Sequence, residues 1–391
     1  MPFSFKVEKR DKRTNARAGI IKTSHGTIKT PAFAPVATKA SVKTLSPEDL
    51  RQSGSQVVLG NTYHLYLRPG GTIIKKFGGL GPFMGWKGPT ITDSGGYQVS
   101  FLWDKTKRLK DLENESWGKL VKISDNGAVF SSYIDGSRHL LTPEKSMEIQ
   151  KDLGADIIMA FDQPLGSDYS QVLTKEAFGR TLKWEERSLR HWKKIKSKQS
   201  LFGIVQGGLD KDLRRQSLNF ILSMGFPGIA MGGESIGKDP EITARTLDTV
   251  SDLLPDTKPL HALGLGGGPE GIFEAVQRGV DIFDNTGITR MARTGLLFVY
   301  PEDGGRSSNK FRIDINKKSF KSDKKPISKI CECEACRNFS RAYIHHLLVS
   351  GELLGLRLAS IHNVSFINRL MQIIRQSVLK NDFVNLKRNW L

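Results

Sequence analysis

Cysteine is scarce in this chain: 391 residues hold three, all between Cys331 and Cys336. Three thiols crowded so closely cannot build a disulfide framework, so a reducing compartment, the cytoplasm, is expected. Long apolar runs are also missing; none approaches the roughly 18 consecutive residues that a bilayer span needs, so no membrane partner is expected. The opening residues, Met1-Pro2-Phe3-Ser4-Phe5-Lys6, pass directly into charged ones with no apolar core of a secretory leader. No glycine-rich phosphate fingerprint joins a strand to a helix, which counts against an open doubly wound sheet. Negative charge is short too: 40 Asp and Glu face 59 Lys and Arg, leaving a net charge of +19. Such a surplus points to a polyanionic partner, nucleic acid first, although a lysine-rich proteome would also produce it.

What the chain does contain is a repeated short apolar run that stops abruptly at polar or glycine residues. The first four runs are Pro31–Thr38, Val57–His64, Thr90–Gly96 and Asp156–Gln163. Leu201–Gly208, Gly228–Ser235, Leu260–Gly268 and Val280–Gly287 follow. Without strict alternation, such runs suit parallel strands buried on both faces. Between them lie helix starts. Ser46 and Thr142 precede Pro47 and Pro143, a capping hydroxyl before a first-turn proline. Leu182, Leu189, Trp192 and Ile195 share one helical face. Eight strands separated by helices predict an α/β fold, a (β/α)8 TIM barrel spanning 1–300 with its site at the strands' C-terminal ends.

Two further segments stand apart. An insertion at about 103–140 carries the charged stretch Asp104–Glu115 and then Val121–Ile134, split by the hairpin signal Asn126-Gly127. Residues 301–391 are expected to form a basic linker, a zinc-binding module and C-terminal helices. In the linker, Arg306, Lys310, Arg312, Lys317, Lys318, Lys321, Lys324, Lys325 and Lys329 face only Asp314 and Asp323. A solvated strip and a phosphate-contacting one both fit that composition. Val364, Ile367, Met371, Ile374 and Val378 form the apolar face of a later helix.

Cys331-x-Cys333-x2-Cys336 can wrap a tetrahedral ion with one ligand still needed. His345, His346 and His362 are candidates, and spacing does not choose among them. Four protein ligands would make the site closed and structural. Three strand ends carry an aspartate: Asp93, Asp162 and Asp284. Convergent carboxylates suit glycosidic chemistry, one attacking an anomeric carbon and another moving a proton. They also suit a divalent metal in a barrel enzyme. Around them, Tyr97 offers a stacking surface, while Gln206-Gly207-Gly208 and Gly232-Gly233 offer an amide and bare backbone N–H groups for a purine edge.

The ordered motifs carry a resemblance. Asn61-Thr62-Tyr63-His64, Asp93-Ser94-Gly95-Gly96-Tyr97-Gln98, Asp135-Gly136-Ser137 with Leu141-Thr142-Pro143-Glu144, and Val205-Gln206-Gly207-Gly208 come first. Val280-Asp281-Ile282-Phe283-Asp284, Thr289-Arg290, the cysteine cluster, Ser340-Arg341-Ala342-Tyr343-Ile344-His345-His346 and His362-Asn363 follow. Across nearly its whole length the chain resembles the tRNA-guanine transglycosylases of bacterial type, enzymes of the queuosine pathway. The resemblance implies exchange of the wobble guanine of a tRNA anticodon loop for a 7-deazaguanine, through a covalent enzyme–RNA intermediate. It implies Asp284 as nucleophile and Asp93 as general acid/base positioned by Asn61. Asp162, Gln206, Gly232, Gly233 and Ser94 would read the base, with Tyr97 and Leu263 against its faces. Arg290 and Arg293 would hold the anticodon loop. His362 would be the fourth zinc ligand beside Cys331, Cys333 and Cys336. No organic cofactor is implied, and a homodimer is.

The chain departs from the family pattern in three places. Gln163-Pro164-Leu165-Gly166 stands where Glu-Cys-Thr-Pro is usual. Glu234-Ser235-Ile236-Gly237-Lys238 replaces Leu-Ala-Val-Gly-Glu, so Lys238 takes the place of an acid and Glu234 introduces one. Either Glu234 pairs with the amine of 7-aminomethyl-7-deazaguanine, the expected base, or the base is the nitrile precursor or queuine. Ile236 argues for a small base. At the nucleophile, Asn285-Thr286-Gly287-Ile288 replaces Cys-Val-Leu-Pro. DNA as the polymer, or a catalytically silent RNA-binding subunit, are the alternatives; the zinc module with the arginines, and retention of Asp93 with Asp284, speak against them.

Overall fold

The computed structural model describes residues 3–101, 122–166, 169–233, 239–265 and 267–391. The chain opens with an antiparallel sheet of β1 (Ser4–Arg10), β2 (Arg17–Thr23) and β3 (Gly26–Thr30). A parallel sheet begins with β4 (Ala32–Ala34), β5 (Val36–Ala37), β6 (Val58–Gly60) and β7 (Thr90–Thr92). A second antiparallel sheet intervenes, made of β8 (Lys122–Ser124), β9 (Gly127–Ser131) and β10 (Arg138–Leu141). The parallel sheet resumes with β11 (Ile157–Met159), β12 (Ser200–Val205), β13 (Gly228–Met231), β14 (Leu260–Ala262) and β15 (Ile282–Asp284). β16 (Leu296–Phe298) then pairs with β17 (Arg312–Asp314), which lies within the basic stretch.

Among the described residues, nine strands make the parallel sheet, in the order β4-β15-β14-β13-β12-β11-β7-β6-β5. The two ends of that order are one run of chain, interrupted only by Pro35. The sheet therefore comes back on itself with eight strand positions and helices between them: a (β/α)8 barrel of the α/β class, as the apolar runs predict. Every one of the eight runs supplies a strand, and β11 to β15 are buried throughout. The strands are shorter than the runs because polar residues at the C-terminal ends turn the chain into the next segment. Asn61, for instance, caps the helix Thr62–Leu67.

The helix starts form as expected. Ser46 and Asp49 make a reciprocal capping box on Pro47–Gln52, and Thr142 caps Pro143–Leu153. The hairpin differs from expectation by one residue. Ser124 pairs with Gly127, so Asp125-Asn126 makes the turn and Gly127 belongs to β9. The reason is crowding: a Cβ on Gly127 would stand 2.4 Å from the Leu141 carbonyl oxygen of β10. The charged stretch Asp104–Glu115 lies outside the described residues.

Internal contacts group the chain into two compact units, Met1–Ala37, Ser41–Leu59 and Ile236–Leu391 in one, Thr38–Ala40 and Gly60–Ser235 in the other. In the first, Arg17 and Asp281 form a buried ion pair at 2.6 Å, and Asp281 also accepts the Leu260 N–H. This aspartate sits at the N-terminal end of its strand, the end of such a barrel concerned with stability. The helix Leu353–Leu379 buries Val364, Ile367, Met371, Ile374 and Val378, the expected apolar face.

In the second unit, the helix Gln171–Lys194 buries Ala177, Phe178, Thr181, Trp184, Glu185, Ser188 and Leu189. Its buried face is thus rotated from the expected one, with Leu182 and Trp192 only half-buried. Polar side chains cause the rotation. Ser188 accepts the Phe161 N–H at 3.1 Å, Thr181 bonds both backbone groups of Gln163, and Glu185 accepts the Ile204 N–H at 2.6 Å. These three residues fasten the helix to the chain around β11 and β12, a role no hydrophobic pattern records.

Candidate active site and metal centre

In the second unit, Asp93 follows β7 directly. Its Oδ1 accepts the Thr62 N–H at 2.7 Å, and its Oδ2 accepts the Asn61 amide. The orientation of Asn61 is fixed in turn, because its Oδ1 caps the next helix through the His64 N–H at 3.0 Å. Asn61 thus holds the Asp93 carboxylate through its amide. Thr62 completes the cradle, with its hydroxyl donating to the Asp93 carbonyl.

Asp162 follows β11 and is buried. Ser94 donates to its Oδ1 at 2.8 Å and Gln206 Nε2 to its Oδ2 at 2.7 Å. Burial raises its pKa to about 6, against those two hydrogen bonds, which favour the charged form. Gln206 Oε1 is buried and has no partner among the described residues, an acceptor left over for a ligand. The glycines around this group are there for room. A Cβ on Gly96 would lie 2.1 Å from the Asp162 carbonyl oxygen, and one on Gly232 would lie 2.5 Å from Gln206 Nε2. Gly233 has φ +100, open to glycine and strained for other residues. Tyr97 is exposed, its ring tilted against Phe101. Glu234, with Ser235 to Lys238, lies outside the described residues.

In the first unit, Asp284 ends β15. His261 Nε2 lies 2.9 Å from its Oδ1, and the Gly264 N–H donates to the same oxygen at 3.1 Å. Leu263, between them in sequence, is half-buried. Asn285 stabilises this corner: its side chain accepts the Gly287 N–H and donates to the Gly264 carbonyl. Asn285, one of the departures from the family pattern, is therefore a brace between the loop after β14 and the helix Gly287–Arg293. On that helix Arg290 is exposed and contacts Thr286. Arg293 Nη1 is buried with no partner among the described residues. Burial, together with the charge of Arg290, lowers the Arg293 pKa, a cost that an anion would relieve.

Cys331, Cys333, Cys336 and His362 come together with all donor atoms within 4.8 Å of one another. Cys333 Sγ and Cys336 Sγ lie 3.8 and 3.2 Å from His362 Nδ1. Donors around a tetrahedral zinc are spaced about 3.5 Å apart, so the set fits such an ion. His362 Nε2 lies 2.7 Å from the Phe298 carbonyl, so the ring proton belongs there and Nδ1 presents its lone pair to the thiols. The thiols share their protons: hydrogen bonds from Cys333 and Cys336 pull the Cys331 pKa down, while the same contacts and burial push that of Cys336 up. The other candidate histidines are elsewhere: His345 bonds the Ile315 carbonyl and His346 is exposed. Asn363, next to His362, bonds the backbone of Ile288, Leu296 and Phe298. Among the described residues no helix is long and apolar enough to cross a membrane.

The family model described as queuine tRNA-ribosyltransferase matches residues 11–391. The chain belongs to that family. It is a pentosyltransferase by that membership. Proteins named queuine tRNA-ribosyltransferase from Desulforamulus reducens and from Roseiflexus are similar to it end to end. The first is 43% identical over 391 residues, covering 100% of this chain and 98% of the relative. The second is 42% identical over 408 residues and covers 100% of both. A protein of the same name from Thermoanaerobacter pseudethanolicus is 42% identical over 390 residues, covering 99% of this chain and 96% of the relative.

Thr62, Glu185, His261 and Asn285 in its bracing part make functional or structural contacts that the motifs and apolar runs do not mark. A sequence signal existed for one of them. His261 interrupts an otherwise apolar strand run, Leu260-His261-Ala262-Leu263, and a histidine in such a place needs a partner.

Proposed function

We propose that this protein exchanges a guanine of a tRNA anticodon loop for a 7-deazaguanine by double displacement through an Asp284–ribose ester. The observation carrying the reading is the buried Ser94–Asp162–Gln206 array, which holds a carboxylate ready for the N1–H and N2–H donors of guanine. Gln206 and the Gly233 amide serve the rest of the base edge, and Tyr97 and Leu263 serve its faces. Asp284 attacks C1′, forming a C–O bond as the bond to guanine N9 breaks. Asp93 gives the departing base its proton, then takes one from the incoming base, whose N9 displaces the aspartate with net retention. Arg290 and Arg293 hold the phosphates and flanking nucleotides; the unpartnered Arg293 Nη1 supports this. Cys331, Cys333, Cys336 and His362 hold one structural Zn2+. A cytoplasmic setting and a homodimer belong to the same proposal, the latter supported by exposed Tyr343, Val349, Leu353 and Leu354 on the helices Arg341–Val349 and Leu353–Leu379.

The proposed incoming base is 7-aminomethyl-7-deazaguanine, with Glu234 as the partner of its amine. Queuine is the second reading, favoured by the names of the relatives. Exchange assays with guanine-labelled tRNA and each base in turn separate them. The aminomethyl base is expected to release label with the highest kcat/KM. Release by queuine but not by the aminomethyl base would reverse the assignment.

Asp162 gives a pH dependence. Its pKa in the folded chain is raised by burial to about 6, above the ordinary value. Stability from this group is therefore full at pH below about 4 and is lost as pH rises through about 6. Guanine binding runs the other way, since only the carboxylate can accept two N–H donors. The dissociation constant for guanine is expected to rise about tenfold per pH unit below about 6 and to be flat above it. Calorimetric titration across pH 4.5–8 checks this, and a flat profile would remove Asp162 from base recognition.

A further inference from the structure

We propose that His261 is the positioning residue of the Asp284 nucleophile, holding Oδ1 so that Oδ2 is the atom that attacks. The inference rests on the reading of Asp284 as nucleophile. Asp284 Oδ1 is engaged twice, by His261 Nε2 at 2.9 Å and by the Gly264 N–H at 3.1 Å. Among the described residues no hydrogen bond reaches Oδ2. Two donors on one oxygen fix the carboxylate plane and concentrate the free electron pairs on the other oxygen, which is what in-line attack on C1′ requires.

The placement of His261 supports a role in chemistry over one in packing. It lies in the middle of β14, fully buried, in register with Ile282 of β15. An aliphatic residue would fill that position with no desolvation cost. Nδ1 of the ring is buried with no partner, so Asp284 is the ring's only hydrogen-bond partner among the described residues. The bond to a carboxylate places the ring proton on Nε2. The second donor is held in turn: Gly264 has φ +75, and its carbonyl receives the Asn285 amide at 2.6 Å. That left-handed turn, open to glycine, aims the N–H at Asp284 while Asn285 holds the carbonyl. His261, Gly264 and Asn285 thus form one frame around the nucleophile.

The test compares His261→Phe, which keeps ring volume and removes the donor, with His261→Gln, which returns an N–H at a similar reach. Single-turnover formation of the covalent RNA adduct is measured at saturating tRNA, with the tRNA dissociation constant measured separately. The Phe variant is expected to form adduct about 10- to 100-fold more slowly, the weight of a hydrogen bond to a charged group, with tRNA affinity unchanged. The Gln variant is expected to recover to within about fivefold of the wild type. A wild-type rate in the Phe variant, or a Gln variant no faster than Phe, would overturn the inference. An Asp284→Ala arm separates the two levels. Adduct formed without Asp284 would sink the nucleophile reading itself, whereas no adduct there with full rate in His261→Phe overturns only the part given to His261.

Discussion

Asp284→Asn is expected to abolish base exchange, lowering kcat by about 10⁴-fold or more, the scale seen when an enzyme loses its nucleophile. The substitution keeps the side chain's shape and leaves an acceptor for His261 and the Gly264 N–H, which now meet Oδ1. Folding should therefore change by no more than about 1 kcal/mol. Asp284→Ala should lose exchange equally and leave those two donors without a partner, at a cost of about 1–3 kcal/mol. Kinetics together with a melting curve distinguish the loss of a reacting atom from the loss of the fold. Exchange by Asp284→Asn within tenfold of the wild type would mean that another group attacks the sugar. Asp93→Ala should be less severe, since general acid/base catalysis supplies about 10²- to 10⁴-fold.

The second large effect is expected at the metal cluster. Cys336→Ala removes one of four donors, leaving a coordination sphere that a structural zinc does not favour. The cost should be at least about 4 kcal/mol, because loss of a structural metal belongs among the largest single-substitution effects. His362 lies on the long helix Leu353–Leu379, and its neighbour Asn363 ties that helix to the backbone of Ile288, Leu296 and Phe298. Freeing the cluster should thus loosen the contacts behind Arg290 and Arg293. Elemental analysis should find one zinc per wild-type chain and much less in the variant, with a clear drop in the thermal midpoint. An unchanged midpoint would show that the cluster is not structural. The folded fraction of the variant should keep its pH dependence, since no step of the proposed exchange uses the ion.

Much of the scaffold is legible in the sequence, for a physical reason. Parallel strands covered on both faces must be apolar along their length, so β7 and β11 to β15 announce themselves as runs, and polar ends among them mark Asp93, Asp162 and Asp284. Capping is equally local, which is why Ser46 and Thr142 read correctly. The metal cluster is half-local. Three cysteines name the site, while the fourth ligand is separated by 26 residues from Cys336, and spacing leaves three histidines open. What the sequence hides are polar residues with buried duties. Thr181, Glu185 and Ser188 carry the inner face of their helix, so counting apolar residues rotates that face. His261 and Asn285 brace Asp284 through contacts that exist only once β14 and β15 are adjacent. Asn126-Gly127 names a turn, yet the nearby Leu141 carbonyl claims the glycine for the strand.

The proposed exchange turns on a bond between Asp284 and the ribose of RNA, and the most direct measurement is to trap and map that bond. Wild-type protein and tRNA are quenched in denaturant after mixing, the RNA is digested, and the remaining nucleotide is located on the protein by mass spectrometry. The expected result is one modified peptide carrying a ribose ester at Asp284, chased away by added 7-deazaguanine. An adduct on Asp93 or Asp162, or exchange in full with no adduct at any time point, would contradict it.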